Sequence, residues 1–412
     1  PESGFSGTYV RACKGAGRMK VTGIIAEYNP FHQGHAYQIK KVRELTQADF
    51  ILVSMSGNFV QRGAPAMFDK YTRAHAALLS GADLVLELPV SIATGSAEAF
   101  ARGGVRLLHD TGIVTDLCFG SECGDLSSLE RLAAFLAEEP TDYKLYLQDG
   151  LKQGLSFPAA REQAVRFSDP SLPAELLGMP NNLLGLEYLK ALHLYGSSIR
   201  PFTIQREGSG YHDTDVSSGQ YSSASAIRAE LIRSGGHFSE ELLAQLPHPE
   251  LYISYADHPP VTEDDFSLLL LEKLRRLSLT DEPLSQYEGI SEDLANRISG
   301  ALDQFTGFSA FTDLMKTRNQ TRTAISRALL HILLDIQAPQ PACMFRVLGF
   351  RKDSRAVLTA LSEQGTLPVV TSLTRSPLDR TSLYPDQLYE SVRSILQQTP
   401  YQNEFRRKML VV

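Results

Sequence analysis

The chain has 412 residues, 43% hydrophobic and 21% charged, enough apolar material for two domains with their own cores and too much for a disordered chain. Its formal net charge of −7 argues against a surface broadly built for nucleic acid, yet residues 316–355 hold eight basic side chains (Lys316, Arg318, Arg322, Arg327, Arg346, Arg351, Lys352, Arg355) against Asp335 and Asp353. Cys13, Cys118, Cys123 and Cys343 form no CxxC pair and no zinc-ligand spacing, and no apolar run is long enough to span a bilayer, so a reduced, buried set of thiols in a soluble cytoplasmic protein is expected.

Residues 1–18 have no apolar period and read as a tag or extension ahead of Met19. Residues 21–26 form a short β-branched run that Asn29-Pro30 stops, which predicts a strand and a turn. From Gly34 onward, Ile39, Val42 and Leu45 recur at helical spacing between Lys40, Lys41, Arg43 and Glu44. The pattern then repeats: a strand at 50–55, a helix at 69–80 ended by Gly81, a strand at 83–88 ended by Pro89, a helix at 97–109, and a strand at 116–119 ended by Gly120. Such alternation predicts a parallel sheet, with ligands beyond the carboxyl ends of its strands.

Pro180-Asn181-Asn182 precedes a helical run at 183–194, where either asparagine could serve as a cap. Residues 199–204 read as another strand, followed by a polar segment at 205–212, and Ser222, Ser223 and Ser225 open a further helix that could cap itself or hold an anion. Beyond about residue 247 the chain reads as mostly helical, with segments at 266–277, 292–305 and 325–336. A last α/β element is expected at 343–376, with a strand at 369–371.

The most informative stretch is Gly23-Ile24-Ile25-Ala26-Glu27-Tyr28-Asn29-Pro30-Phe31-His32-Gln33-Gly34-His35, which sets two histidines around a glycine where a strand gives way to a helix. A helix start carries unpaired N–H groups and a partial positive charge, two imidazoles add directional donors, and Gly34 leaves the backbone open to close approach. The ligand this suits is a nucleoside triphosphate.

His32-Gln33-Gly34-His35 resembles the HxGH signature of the adenylyltransferase superfamily, to which pantothenate synthetase and the class I aminoacyl-tRNA synthetases belong. With it come the loop Gly57-Asn58-Phe59-Val60-Gln61-Arg62-Gly63, the run Gly81-Ala82-Asp83-Leu84-Val85-Leu86-Glu87-Leu88-Pro89 and Pro180-Asn181-Asn182. Together, in this order, the four motifs resemble the tRNA(Met) cytidine acetate ligase family from Met19 to the C-terminus.

The resemblance implies an α/β fold: a Rossmann-like HxGH nucleotidyltransferase domain with a parallel sheet at 19–246, then a mostly helical tRNA-binding region at 247–412. It implies a ligase that joins acetate to ATP as acetyl-adenylate and passes the acetyl group to the wobble cytidine of elongator tRNA(Met), giving N4-acetylcytidine. The ATP cradle would comprise Ile25, Ala26, Glu27, Tyr28, Asn29, Pro30, Phe31, His32, Gln33, Gly34, His35, Ala36, Tyr37 and Gln38, completed by Gly120, Asn182 and Arg206, with Asn181 second to Asn182. His32 and His35 would be the catalytic pair, with Mg2+ assisting. Glu27 and Asp69 are candidates to take the cytidine amine proton. Lys316, Arg318, Arg322 and Arg327 would contact tRNA, although Asn319, Gln320 and Ala324 stand where the family is richer in Arg and Tyr, and Arg322 could instead lay its stem on the core. The alternative reading is a small-molecule adenylate-forming ligase resembling pantothenate synthetase, which would need no basic C-terminal region.

Overall fold

The computed structural model describes residues 19–206, 222–280, 282–375 and 380–412. The expected extension at 1–18 and the polar segment at 207–212 lie outside the described residues.

The first half alternates strands and helices: β1 (Val21–Ala26), α1 (Gln33–Thr46), β2 (Phe50–Ser56), the short pair β3 (Phe59–Val60) and β4 (Ala64–Pro65), α2 (Lys70–Leu79), β5 (Leu84–Leu88), α3 (Val90–Ala93), α4 (Ala97–Asp110) and β6 (Val114–Ser121). Three helices follow, α5 (Leu126–Glu138), α6 (Thr141–Lys152) and α7 (Phe157–Ser168), in a stretch where no element was expected. Then come α8 (Pro180–Leu194), β7 (Arg200–Gln205), α9 (Ala224–Arg233) and α10 (Glu240–Gln245). Helices α11 (Ser267–Leu277), α12 (Glu292–Ala301), α13 (Phe308–Met315) and α14 (Arg322–Leu334) form the helical part, and β8 (Phe345–Phe350), α15 (Arg355–Gln364), β9 (Val369–Val370), α16 (Arg380–Leu396) and β10 (Leu410–Val411) close the chain. The run expected at 292–305 thus ends its α-helix at Ala301 and finishes in a 3-10 turn, Leu302–Gln304.

The central sheet runs β10-β8-β5-β2-β1-β6-β7, and its middle strands β5, β2, β1, β6 and β7 are all parallel. Strands buried on both faces read as continuous apolar runs, which is why the sequence showed them. Alternate residues of β2 supply two different cores: Leu52 packs with Leu84 and Leu86 on one face, while Ile51, Val53 and Met55 pack with Val85 on the other. The sheet order reverses direction between β1 and β6, a topological switch point that opens a crevice beyond their carboxyl ends.

Strand β8 opens the α/β element expected at 343–376, where only the strand at 369–371 was placed, and it pairs antiparallel with β5. The sheet therefore draws strands from both sides of residue 246. A buried ion cluster strengthens the join. The Lys70 ammonium lies 2.8 Å from Glu87 and 3.1 Å from Glu404 and also pairs with Asp386, while Arg346 reaches Glu87 at 3.1 Å, Asp386 at 3.0 Å and Glu404. These charges come from α2, β5, β8, α16 and the C-terminal segment, so the whole chain is tied across its length.

A separate apolar core gathers Leu270, Leu274, Leu294, Ile298, Phe308, Phe311, Ile325 and Leu329 from α11 to α14, and it takes in Phe59 of β3. That contact seats the helical part on the loop that follows β2. Cys118 is buried as expected, but Cys343 is exposed. No helix among the described residues is long and apolar enough to cross a membrane.

Candidate active site

The crevice at the switch point is a cavity of about 580 Å³ lined by residues from β1, α1, the β2–α2 loop, β6, α8, α9 and α14. Its foundation is the turn after β1. Tyr28 adopts a left-handed φ of 52° and buries its ring edge-on against Phe31, with centroids 4.8 Å apart. Asn29 accepts the Met67 N–H through its side chain at 3.0 Å and an Arg228 N–H through its backbone carbonyl at 2.7 Å. Arg73, fully buried, donates to the carbonyls of Glu27 at 2.6 Å, Ser56 at 3.2 Å and Phe68 at 2.9 Å. The turn is pinned from both sides, and His32 falls at the helix start.

His32 caps α1: its Nδ1 accepts the Gly34 N–H at 3.1 Å, and the Nδ1 of His35 accepts the His32 N–H at 3.3 Å. The two rings lie 3.8 Å apart. A ring nitrogen that accepts a hydrogen bond carries no proton, so each neutral ring bears its hydrogen on Nε2. Burial, with repulsion from Arg206 and Arg228, pushes His32 down to about 3. Burial, then His32 and Arg206, hold His35 well below its ordinary value. The pair is therefore neutral at physiological pH and offers N–H donors rather than charge.

Within the expected ATP cradle, Ile25, Ala26, Glu27, Tyr28, Asn29, His35 and Gln38 line the cavity. Pro30, Phe31, His32, Gln33, Gly34, Ala36 and Tyr37 do not stand among its lining residues: Phe31 and His32 are buried behind the wall, Gln33 donates to the Ala244 carbonyl at 3.3 Å, and the Gly34 N–H is spent on His32. Gly120 and Arg206 both line it, and the Arg206 stem crosses the space above Gly120.

The two asparagines divide. Helix α8 begins at Pro180, so neither Asn181 nor Asn182 is its cap; both lie in its first turn. Asn182 is fully buried and accepts the N–H groups of Glu122 at 2.9 Å and Cys123 at 3.2 Å, while Asn181 lines the cavity and accepts from Arg206 at 3.5 Å. The Glu122 carboxylate takes the N–H groups of both asparagines at 3.1 and 2.8 Å, filling the helix start with an anion of the protein's own.

Asp69 is remote from this chemistry. It caps α2, accepts the Tyr255 hydroxyl at 2.7 Å and pairs with Arg407 at 3.3 Å, and does not line the cavity. The serine run opening α9 also caps itself, with Ser223 accepting the Ala226 N–H at 3.1 Å. Arg228, one turn further on, reaches the cavity instead.

The basic strip expected on one surface is dispersed. Lys316 and Arg318 are exposed. Arg322 is neither a free contact nor a core stem: it pairs with Asp313 at 3.1 Å and Glu263 at 3.4 Å. Arg327 lines the cavity, with Thr321 and Thr323. Gln61 and Arg62 belong to the loop at 57–63 that follows β2, and Arg228 to the helix start at 222–228, both of which the sequence singled out; Thr321, Thr323 and Tyr188 were not foreseen and Arg327 was expected on tRNA, because these come from distant segments whose meeting no local pattern announces.

Among the described residues, four arginines line the cavity (Arg62, Arg206, Arg228, Arg327) against one carboxylate, Glu27. A wall of that composition suits a polyanion. No group of three or more His, Cys, Asp or Glu side chains among the described residues could hold a metal ion.

The family described as HIGH nucleotidyl transferase matches residues 19–408. A relative from Acetivibrio thermocellus named tRNA(Met) cytidine acetate ligase is 39% identical over 373 residues, which cover 86% of this chain and 88% of that protein. One of the same name from Halothermothrix orenii is 36% identical and covers 95% of this chain and 99% of its own. The crystal structure of apo Thermotoga maritima TmcAL matches with a TM-score of 0.85 at 33% identity, covering 96% of this chain and 100% of that one. The same protein bound with alpha-thio ATP matches with a TM-score of 0.82.

Proposed function

The chain belongs to the HIGH nucleotidyl transferases and, within them, to the tRNA(Met) cytidine acetate ligases, and we propose that it joins acetate to the wobble cytidine of elongator tRNA(Met) at the expense of ATP. The observation that carries this reading is the neutral His32–His35 pair at the start of α1, set at the switch point of the sheet beside Arg206 and Arg228.

In the first step an acetate oxygen attacks the α-phosphorus, the bond to the β-phosphate breaks and pyrophosphate leaves. The protein has little covalent work to do there; it aligns the reactants and stabilises charge on the phosphoryl oxygens. The Nε2–H of His35 donates to the triphosphate, and His32 fixes the cap that aims it. Arg206, oriented through Asn181, and Arg228, anchored on the Asn29 carbonyl, neutralise phosphate charge. With Glu27 as the cavity's only carboxylate among the described residues, Mg2+ would enter held mainly by the phosphates, where it supplies further charge neutralisation.

In the second step the exocyclic amine of cytidine attacks the acetyl carbonyl and AMP leaves. The tRNA would approach along α13 and α14, where Lys316 and Arg318 are exposed beside the Thr321 and Thr323 wall and suit phosphates.

Incubation with radiolabelled acetate, tRNA and ATP, followed by nucleoside analysis, tests this reading. ATP-dependent label in N4-acetylcytidine is the expected result. Pyrophosphate exchange driven by another carboxylate, with no label in tRNA, would move the assignment to a small-molecule adenylating enzyme.

A further inference from the structure

Two hydrogen-bonded groups divide the cavity wall. One contains Arg206 with Asn181 and Arg228 with Asn29, cations held by neutral partners. The other is different in kind: the Gln61 N–H donates to Oε1 of Glu27 at 2.7 Å, and the Gln61 carbonyl accepts from Arg327 at 3.5 Å, so the backbone of one residue links Glu27 on β1's exit to Arg327 on α14.

Glu27 is out of place in a pure nucleotide cradle. Its negative charge works against a triphosphate, yet it is held firmly, by Gln61 at the side chain and by Arg73 at the backbone carbonyl. A carboxylate offers about four lone-pair sites over its two oxygens, and Oε2 has no hydrogen-bond partner among the described residues. Of the two carboxylates considered from the sequence, Asp69 is consumed by α2, Tyr255 and Arg407, whereas Glu27 faces the reacting volume.

Resting on the ligase reading above, the geometry points to the Glu27–Gln61–Arg327 portion of the wall as the acceptor subsite, with Glu27 as the base that takes the cytidine amine proton. The amine lone pair, delocalised into the ring, makes N4 a weak nucleophile until its proton can depart. N4 forms the bond to the acetyl carbon, the carbon–oxygen bond to the phosphate breaks with its electron pair leaving on AMP, and the N4 proton passes to Oε2 of Glu27, which later releases it to water. Arg327 acts through the Gln61 backbone as a positioning residue.

The test compares Glu27→Gln with the wild-type full chain in two assays, acetate-dependent exchange of labelled pyrophosphate into ATP and single-turnover acetyl transfer to tRNA. The amide keeps an oxygen for the Gln61 N–H, so the substitution removes the base and retains the wall. Transfer should fall about a hundredfold or more beyond any fall in exchange, the range expected for a lost general base. Glu27→Asp, which restores a carboxylate one methylene shorter, should recover part of the transfer. Equal losses in both assays, undiminished transfer in Glu27→Gln, or an aspartate variant no better than the amide would overturn the assignment. If Glu27→Gln melts below the wild type, wild-type transfer decides: a rate that rises as a carboxylate ionises supports the base, and a flat profile overturns it. A wild type inactive in both assays overturns the ligase reading itself, a result distinct from all of these.

Discussion

His35 accepts the backbone N–H of His32 on its Nδ1 at 3.3 Å, while the His32 ring accepts the Gly34 N–H, so two side chains of one signature cap a helix and fix each other's tautomer. A polar pair with the capacity for positive charge is kept neutral by this cap and its burial, with Nε2–H directed outward from the cap. In imidazole nitrogen NMR both rings should show the neutral Nε2–H tautomer at neutral pH. An imidazolium signal from either ring at pH 6 would contradict the geometry.

The same burial makes stability depend on pH. The folded-state pKa of His32 is depressed to about 3, so between that value and about 6.5 the unfolded chain binds a proton that the folded chain does not. Stability is lost as pH falls through this window and is unaffected by this group above it. His32→Asn retains a capping side chain without the titration, and between pH 6 and 4 the wild type should lose about 1 kcal/mol per pH unit more than the variant in denaturant melts. Parallel slopes would show that His32 does not carry the effect.

His35→Ala removes the donor proposed for the triphosphate together with half of the capping box. Acetate-dependent pyrophosphate exchange should disappear, and the melt should drop by about 1 kcal/mol, the cost of a lost helix cap, without loss of the folded state. A folded His35→Ala protein with ordinary exchange would remove His35 from the chemistry.

Asn181 and Asn182 should separate in opposite ways. Asn182→Ala strands the N–H groups of Glu122 and Cys123 in a buried site, a cost of about 1–3 kcal/mol, whereas Asn181→Ala leaves the backbone paired and frees Arg206. Thermal melts should therefore single out Asn182→Ala, and ATP titrations at matched folded fraction should single out Asn181→Ala. The reverse pattern would return the nucleotide contact to Asn182.

What could be read in the sequence and what could not follows from the range of the forces involved. The parallel strands were visible because burial on both faces writes an apolar run into each, and the histidine pair was visible because its cap is local. Strand β8 was hidden by Arg346, a residue that looks solvent-facing until Glu87, Asp386 and Glu404 arrive from elsewhere in the chain to bury it. The basic stretch at 316–355 dissolved for the same reason: Arg346 is in an ion cluster, Arg322 and Arg351 are paired with acids, and Arg327 is in the cavity. Charge counted along a sequence does not say which charges share a surface.

The ion cluster itself should be costly to break. Lys70→Met removes the cation shared by Glu87, Asp386 and Glu404 and leaves Arg346 alone against three buried carboxylates. Deleting one partner of a buried ionic group costs about 3–5 kcal/mol, chiefly through the uncompensated charge left behind. Denaturant melts at neutral pH should show that loss. A loss no larger than that of a buried aliphatic stem shortened by a methylene, about 1 kcal/mol, would mean that packing of the lysine stem, rather than charge, sets the cost.

Gly63 links the two halves of the cavity. It sits at φ 78° in the turn joining β3 to β4, its carbonyl accepts the Ser326 hydroxyl at 2.8 Å, and a methyl group on it would run into the backbone of Ser326 and Arg327. The left-handed conformation and the close approach both demand glycine, and the contact they permit brings Arg327 within reach of the Gln61 carbonyl. Gly63→Ala should destabilise the chain by more than about 1 kcal/mol, because the backbone strain and the collision add. It should also push α14 away from the hairpin, so acetyl transfer to tRNA should suffer more than pyrophosphate exchange, whose histidine cap lies on α1. Equal effects on the two reactions would mean that α14 serves the nucleotide and the acceptor alike, and a variant with wild-type stability would show that the hairpin yields without strain.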